Sequence, residues 1–399
     1  MKIGILRESK SPPDKRVVLT PIQCSELLKK YPQTKLVVQP SQMRKFSDHE
    51  YISRGICMQE DLSDCDVLFG VKEVLADSLL EGKRYFFFSH TIKKQSHNRE
   101  LLRRILDLNI TLIDYEVLTD DSGRRLVGFG RYAGIVGCYN AFLTYGRRTG
   151  RFDLKRVYLC EDQKEMELEL KKIDLSNIKI VSTGTGRVGR GVKELLSILG
   201  VKQVSVDAFL NDTFNEPVFV QLESLDYYTR ADANQSSKKD FYENPKRYTS
   251  DFMKFASVSD VLIAGHFHAP NAPSLFTRDD AKLNQFKIRV VSDISCDING
   301  PIASTIRSSS IINPIYGYNP QLESEDVFNK ESVISVVAID NLPCELPKEA
   351  SEGFGDELIE NVLPSLFNAD NDGVLKRATI CDSGSLSSLY NYLNKYANI

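Results

Sequence analysis

Short apolar runs, each four to eight residues long, recur along this chain with amphipathic stretches between them. KIGIL (2–6), KLVVQP (35–40), DVLFGVK (66–72), YFFFSH (85–90) and ITLIDYE (110–116) read as buried strands. TPIQCSELLKKY (20–31) opens with Thr-Pro and carries apolar residues at helical spacing, and NRELLRRILDL (98–108) is amphipathic. Strands that alternate with helices predict a parallel α/β sheet in the first 130 or so residues. The stretch 128–148 begins with small residues and continues apolar, predicting a linking helix packed closely on a neighbour. EDQKEMELELKK (161–172) predicts an exposed charged helix within a local insertion over 157–172. A second series of strands follows at 178–183, 202–209, 260–267, 288–295 and 331–340. Residues 210–250 are polar and tyrosine-rich, and helices are expected at 357–367 and 385–396.

The composition narrows the function. The chain has 399 residues, 42% hydrophobic and 26% charged, as in globular proteins with sizeable cores. A net charge of −3 argues against a nucleic-acid partner, and no apolar run approaches the roughly 20 residues of a membrane span. The start, MKIGILRESK, lacks the apolar core of a secretory signal, and eight cysteines without a CxxC pair suit a reducing, cytoplasmic setting.

The stretch 178–200 combines an apolar strand, GTGRVG and a helix. Gly184, Gly186 and Gly189 enclose Arg187 and Val188 in a GxGxxG turn, and Asp207 lies 18 residues beyond Gly189. Such a turn lets a pyrophosphate meet free N–H groups at a helix N-terminus, and an acid at the end of the next strand accepts from a ribose diol. An aspartate would repel a 2′-phosphate, so the expected cofactor is NAD rather than NADP.

In open α/β sheets ligands sit outside the carboxyl ends of the strands. Three such ends carry Lys72, His90 and Glu116. Lys93, Arg16 and Arg125 add positive charge, which suits a small substrate with several carboxylates. A lysine crowded by cations and a histidine can both exchange protons near neutral pH. Beside a nicotinamide, that chemistry is amino-acid oxidation or reductive amination. His266 and His268 in GHFHAP lack a partner at ligand spacing, so no metal site is expected. They are read as lining the nucleotide cleft or standing in a loop.

RYFFFSHTIKKQ, LIDYE, GRRLVGFGRYAGIVG, LFGVKE, LRESKSPPDKRVVLTP, VVSDISCDINGPI and AIDNLPCELPKEASEGFGDEL resemble the lysine-forming saccharopine dehydrogenases and lysine–ketoglutarate reductases, within the alanine dehydrogenase and transhydrogenase group. The stretch 243–281 is more similar to the reductase half of the bifunctional lysine-degrading enzyme, here as a stand-alone version. The resemblance implies two Rossmann-like, doubly wound parallel-sheet domains with an active-site cleft where they meet. It implies residues 1–134 with 342–399 for catalysis and 135–341 for the dinucleotide. It also implies Lys72 and His90 as the acid–base pair. Arg16, Glu73, Lys93, Glu116 and Arg125 would face the substrate, and Asp340 and Asp207 the two riboses of the cofactor. The substrates so implied are saccharopine, L-lysine and 2-oxoglutarate, interconverted with NAD. Two alternatives stay open: a dehydrogenase of alanine or another opine-type amino acid, and a dinucleotide-binding protein without chemistry. The sequence leaves oligomeric state and metabolic direction undetermined.

Overall fold

The structure, a computed structural model, describes residues 1–9 and 14–397. Residues 10–13, within the LRESKSPPDKRVVLTP motif, lie outside the described residues. The chain divides into two units, Met1–Phe129 with Pro347–Ile399, and Gly130–Leu346. Both divisions fall a few residues outside the 135–341 segment expected from sequence, so the whole Gly130–Thr149 helix belongs to the second unit.

The apolar runs of the first unit form β1 (Lys2–Ile5), β2 (Lys35–Val38), β3 (Cys57–Met58), β4 (Val67–Phe69), β5 (Arg84–Phe87) and β6 (Thr111–Asp114). They are parallel in the order β3-β2-β1-β4-β5-β6, and Thr379–Asp382 and Ser385–Leu386 extend the sheet antiparallel beyond β6. Strands covered on both faces need not alternate, which is why Tyr85, Phe86 and Phe87 can all be fully buried. The winding direction reverses between β1 and β4, the place where such sheets open a crevice beyond their strand ends.

The helix expected after Leu19 is present as Pro21–Lys30. Thr20 Oγ1 accepts from the Gln23 N–H while Gln23 Oε1 accepts from the Thr20 N–H, a reciprocal cap. Arg99–Asp107 buries Leu101, Leu102, Ile105 and Leu106. The expected helix at 385–396 is corrected. Ser385–Leu386 is a strand and the 388–393 stretch is a tighter 3₁₀ turn. Ser387 Oγ donates to the carbonyls of Thr379 and Ile380, a local bond that competes with a helix.

In the second unit β7 (Lys179–Thr183), β8 (Lys202–Gln203), β9 (Val218–Leu222), β10 (Tyr228–Arg230), β11 (Tyr248–Ser250), β12 (Val261–Ala264), β13 (Val290–Asp293), β14 (Ile315–Asn319), β15 (Ser324–Asp326) and β16 (Ile334–Val337) follow in turn. Their main sheet runs β8-β9-β7-β12-β13-β16-β14-β15, parallel from β8 to β16 and antiparallel at β14 and β15. The β10–β11 hairpin stands apart from it. The linking helix packs as closely as its small residues suggest. A Cβ on Gly134 would fall 2.0 Å from the Val188 carbonyl, and one on Gly191 would fall 2.0 Å from that of Arg131. The charged insertion holds the Gln163–Glu169 helix, which buries Met166 and exposes Leu168.

Candidate active site

Three parallel neighbours, β4, β5 and β6, end side by side in the first unit. Lys72 stands three residues beyond β4, His90 three beyond β5 and Glu116 two beyond β6. The geometry of two of these ends is closely specified. His90 Nδ1 lies 2.5 Å from Glu73 Oε1, and its Nε2 lies 4.0 Å from Glu116 Oε2. Glu116 Oε1 is 3.3 Å from Lys93 Nζ and 3.9 Å from Arg125 Nη1. Glu73, His90, Lys93, Glu116 and Arg125 thus form one cluster of alternating charge. Phe88, Tyr115, Phe129 and Phe354 floor it, with Phe129 and Phe354 stacked at 4.6 Å. The aromatic run that precedes His90 in the sequence supplies part of this apolar floor.

Lys72 is set from below. Its backbone N–H donates to Glu8 Oε2 at 2.9 Å, and that of Val71 donates to Glu8 Oε1 at 2.7 Å. Glu8 follows β1, the strand beside β4, and a pocket lined by Glu8, Gly70, Lys72, Glu73 and Ser78 opens there. Burial, and then the charge of Asp14, push the Glu8 carboxyl up to about 7, against the two N–H donors that pull it down. Sequence reasoning did not single out Glu8. Its one signal was an acid three residues beyond an apolar strand.

Arg16, expected from the sequence to face a substrate carboxylate, is 2% exposed. Its Nε donates to Asp14 Oδ1 at 3.0 Å and its Nη2 to Asp14 Oδ2 at 2.6 Å, while the guanidinium lies 4.1 Å over the Phe129 ring. A planar fork inside an apolar site needs a carboxylate partner, and Asp14, two residues away, provides it.

The glycine turn of the second unit fits a dinucleotide. Gly184 adopts φ +93°, and a Cβ on Gly189 would fall 1.9 Å from the Gly184 carbonyl oxygen, so neither position has room for a side chain. Gly186 caps the Arg187–Ile198 helix without a side-chain hydrogen bond, and a Cβ there would meet open space. The first N–H groups of that helix therefore have no side-chain cap, an arrangement that suits a pyrophosphate. Arg187 and Val188 open the helix, and Val188 packs on Gly130, Gly134 and Gly265.

Asp207 is not at the end of the strand beside the turn. Ser205 Oγ accepts from the Ala208 N–H and starts the Val206–Asn211 helix, so the expected strand 202–209 stops at Gln203 on the sheet edge. The place beside β7 goes to β9, whose VFVQL is almost wholly buried. The acid that ends β9 is Glu223. The Gly184 N–H donates to Leu222 O at 2.8 Å, next to it, and Glu223 pairs at 2.5 Å with Lys238 from the long insert. Gln221 Nε2 donates to the carbonyls of Gly184 and Gly189 and so braces the turn. Neither Glu223 nor Gln221 was found from sequence, because 210–250 read as a polar insert with no strand in it.

Asp340 is exposed beyond β16, on the same edge as the turn. His266 follows β12, where its Nδ1 is 2.7 Å from Thr183 Oγ1 and its Nε2 is buried without a partner. Burial, and then His268, push it down to about 4, so it is neutral at physiological pH. Among the described residues no group of three or more His, Cys, Asp or Glu could hold a metal ion, and no helix is long and apolar enough to cross a membrane.

Residues 4–136 match the alanine dehydrogenase/PNT N-terminal domain family. The lysine-forming, NAD(+) saccharopine dehydrogenase of Schizosaccharomyces pombe is 27% identical over 396 residues, covering 94% of this chain and 95% of that one. The chain is thus similar over nearly its whole length to a lysine-forming saccharopine dehydrogenase. It is also 30% identical to alpha-aminoadipic semialdehyde synthases. In Arabidopsis thaliana the match covers 98% of this chain and 41% of the relative, and in Mus musculus, whose protein is named mitochondrial, 90% and 44%. The chain thus spans less than half the length of those synthases. Among solved structures it resembles an L-alanine dehydrogenase, with a TM-score of 0.65 at 16% identity over 99% of both chains. A transhydrogenase from Sinorhizobium meliloti gives 0.60 at 13% identity over 97% of this chain and all of that one. The two-sheet α/β architecture read from the sequence is the fold this chain shares with that L-alanine dehydrogenase.

Proposed function

We propose that this chain is an NAD-dependent oxidoreductase that interconverts saccharopine with L-lysine and 2-oxoglutarate. The observation that carries this reading is the Glu73–His90–Glu116 cluster with Lys93 and Arg125 around it, beside a strand end that bears Lys72. It joins groups that move protons to cations that hold carboxylates, in a relative of enzymes named for saccharopine.

The glycine turn would hold the pyrophosphate on the helix N-terminus, with Glu223, rather than Asp207, at the adenosine ribose and Asp340 near the second ribose. The nicotinamide, when bound, supplies the hydride acceptor for oxidation of the secondary-amine carbon and the donor for the reverse. The remaining steps belong to the chain. Lys72 takes the proton of the secondary amine, which frees its lone pair as the carbon is oxidised. Water then adds to the imine carbon, and His90 removes a proton from that water through Nε2, since Nδ1 is engaged by Glu73. His90 then gives its proton to the nitrogen and takes the carbinol hydroxyl proton as the C–N bond breaks and the carbonyl forms, releasing it to solvent, while protonated Lys72 protonates the departing lysine amine. Arg125 and Lys93 hold substrate carboxylates, and Glu116 spaces the two cations. Arg16 supports the floor through Asp14 and Phe129 instead of gripping substrate.

The test is a steady-state assay of NADH oxidation with L-lysine and 2-oxoglutarate, each alone and together. Turnover that requires both supports the reading. Turnover with pyruvate and ammonia instead would move the chain to an alanine-type dehydrogenase, and NADH binding without turnover would leave a dinucleotide-binding protein. NADPH in parallel tests the nucleotide, and cell fractionation tests the cytosolic location that belongs to this proposal.

A further inference from the structure

The His90 backbone is held in an unfavourable conformation. Its φ is +53° and ψ is +11°, the left-handed region that non-glycine residues rarely adopt. Something must pin it, and the pins are on either side. Ser89 and Thr91 are both fully buried. Ser89 Oγ lies 2.8 Å from Thr91 Oγ1 and accepts from the Thr91 N–H at 3.2 Å, bracing the chain across His90.

That brace is anchored by Asp114, the last residue of β6 and itself fully buried. Asp114 Oδ2 accepts from the Ser89 N–H at 3.2 Å and from the Ser89 hydroxyl. Asp114 Oδ1 accepts from the Glu116 N–H at 2.8 Å. One carboxylate therefore ties the strand end that carries His90 to the one that carries Glu116. Burial opposes its charge, and the donors from Ser89 and Glu116 favour it. An aspartate buried at the end of TLID, after Leu112 and Ile113, has no packing reason to be there.

We propose that Asp114 is a positioning residue, which acts through Ser89 and Thr91 to keep the His90 imidazole in contact with Glu73 and in register with Glu116. The proposal rests on the acid–base role given to His90 above. Asp114 does not touch substrate. Its carboxylate satisfies the backbone of both strand ends at once, which a single amide oxygen cannot do.

The experiment is a crystal structure of the Asp114→Asn variant of the whole chain, with turnover measured in wild-type and His90→Asn backgrounds. The amide turns an N–H₂ toward one of the former donors. His90 is expected to leave the left-handed region and lose its 2.5 Å contact with Glu73, with β6 unchanged. Turnover with lysine, 2-oxoglutarate and NADH should fall about 10- to 100-fold, as displaced catalytic groups cost. In the His90→Asn background the same substitution should cost less than about 2-fold, since groups that act as a unit are not additive. An undisturbed His90 in the variant crystal, or an equal loss in both backgrounds, overturns the proposal. Should Asp114→Asn fail to fold, Ser89→Ala cuts the same link and is read by the same measurements. If wild type does not turn over these substrates, the saccharopine reading fails by itself, and the conformation of His90 in the variant still decides the role of Asp114.

Discussion

Glu73 Oε1 stands 2.5 Å from His90 Nδ1, leaving Nε2 as the ring nitrogen available for proton exchange. Removing the ring and removing its carboxylate partner should therefore differ in degree. His90→Asn and Lys72→Met are each expected to lower kcat by about 100-fold, the usual contribution of a general acid–base group. Glu73→Gln, which keeps the shape and loses the charge, should cost about 10-fold, with little change in the KM for NADH. Steady-state kinetics on the purified variants checks all three. Wild-type turnover in Lys72→Met and His90→Asn would remove both from the mechanism.

The two acids compete for one assignment. Glu223 ends β9 beside the glycine turn, whereas Asp207 lies in the helix capped by Ser205 and accepts from Asn211. Glu223→Ala should raise the KM for NADH about 10-fold, in line with the hydrogen bonds it would accept from a ribose diol. Asp207→Ala should leave it within about 2-fold. A reversal of these two effects would restore the acid expected from the sequence.

Gly189 tests the turn itself. With its Cβ 1.9 Å from a backbone oxygen, Gly189→Ala must push the helix from β7. Titration of tyrosine fluorescence with NADH is expected to show affinity reduced more than 10-fold. Gly186→Ala, where a Cβ meets open space within the protein, would show how much of the effect belongs to the ligand.

A pH effect on stability follows from the second unit. Glu345 is fully buried, its Oε1 accepting from Asn140 Nδ2 at 2.9 Å and its Oε2 lying 3.7 Å from Arg156. Burial pushes its carboxyl up from 4.5 to about 7, although Arg156 and Asn140 act the other way. The unfolded chain loses that proton near 4.5 and the folded one near 7. Between these values the unfolded state holds fewer protons, so this group's contribution is full below about 4.5 and is lost as pH rises to about 7. Urea midpoints at pH 5 and pH 7.5 should fall more for wild type than for Glu345→Gln. Equal slopes would place the Glu345 titration outside this window.

Much of the site was legible because it follows one rule. Lys72, His90 and Glu116 each come directly after a buried apolar run, and a parallel sheet brings such ends together. The glycine turn was legible because two of its three positions, Gly184 and Gly189, are fixed by sterics that a side chain cannot satisfy. What escaped depends on contacts distant in sequence. That β9 would displace the 202–209 segment from its place beside β7 is a matter of which strand buries more, and VFVQL was masked by the polar residues around it. The Asp14–Arg16 pair is local, yet only packing against Phe129 reveals that the guanidinium is turned inward. The last serines look helical by spacing and are drawn into the sheet by their own hydroxyls.

Glu223 does not stand alone at its strand end: Lys238, carried on the Lys238–Glu243 helix, reaches back to it across the insert that holds β10 and β11. The charge at that strand end is set jointly by a core strand and by a segment whose Phe241 and Tyr248 are themselves buried. Neutralising Lys238 would therefore leave the Glu223 carboxylate unbalanced, while the charged cluster at the strand ends of the other unit keeps its own pairing.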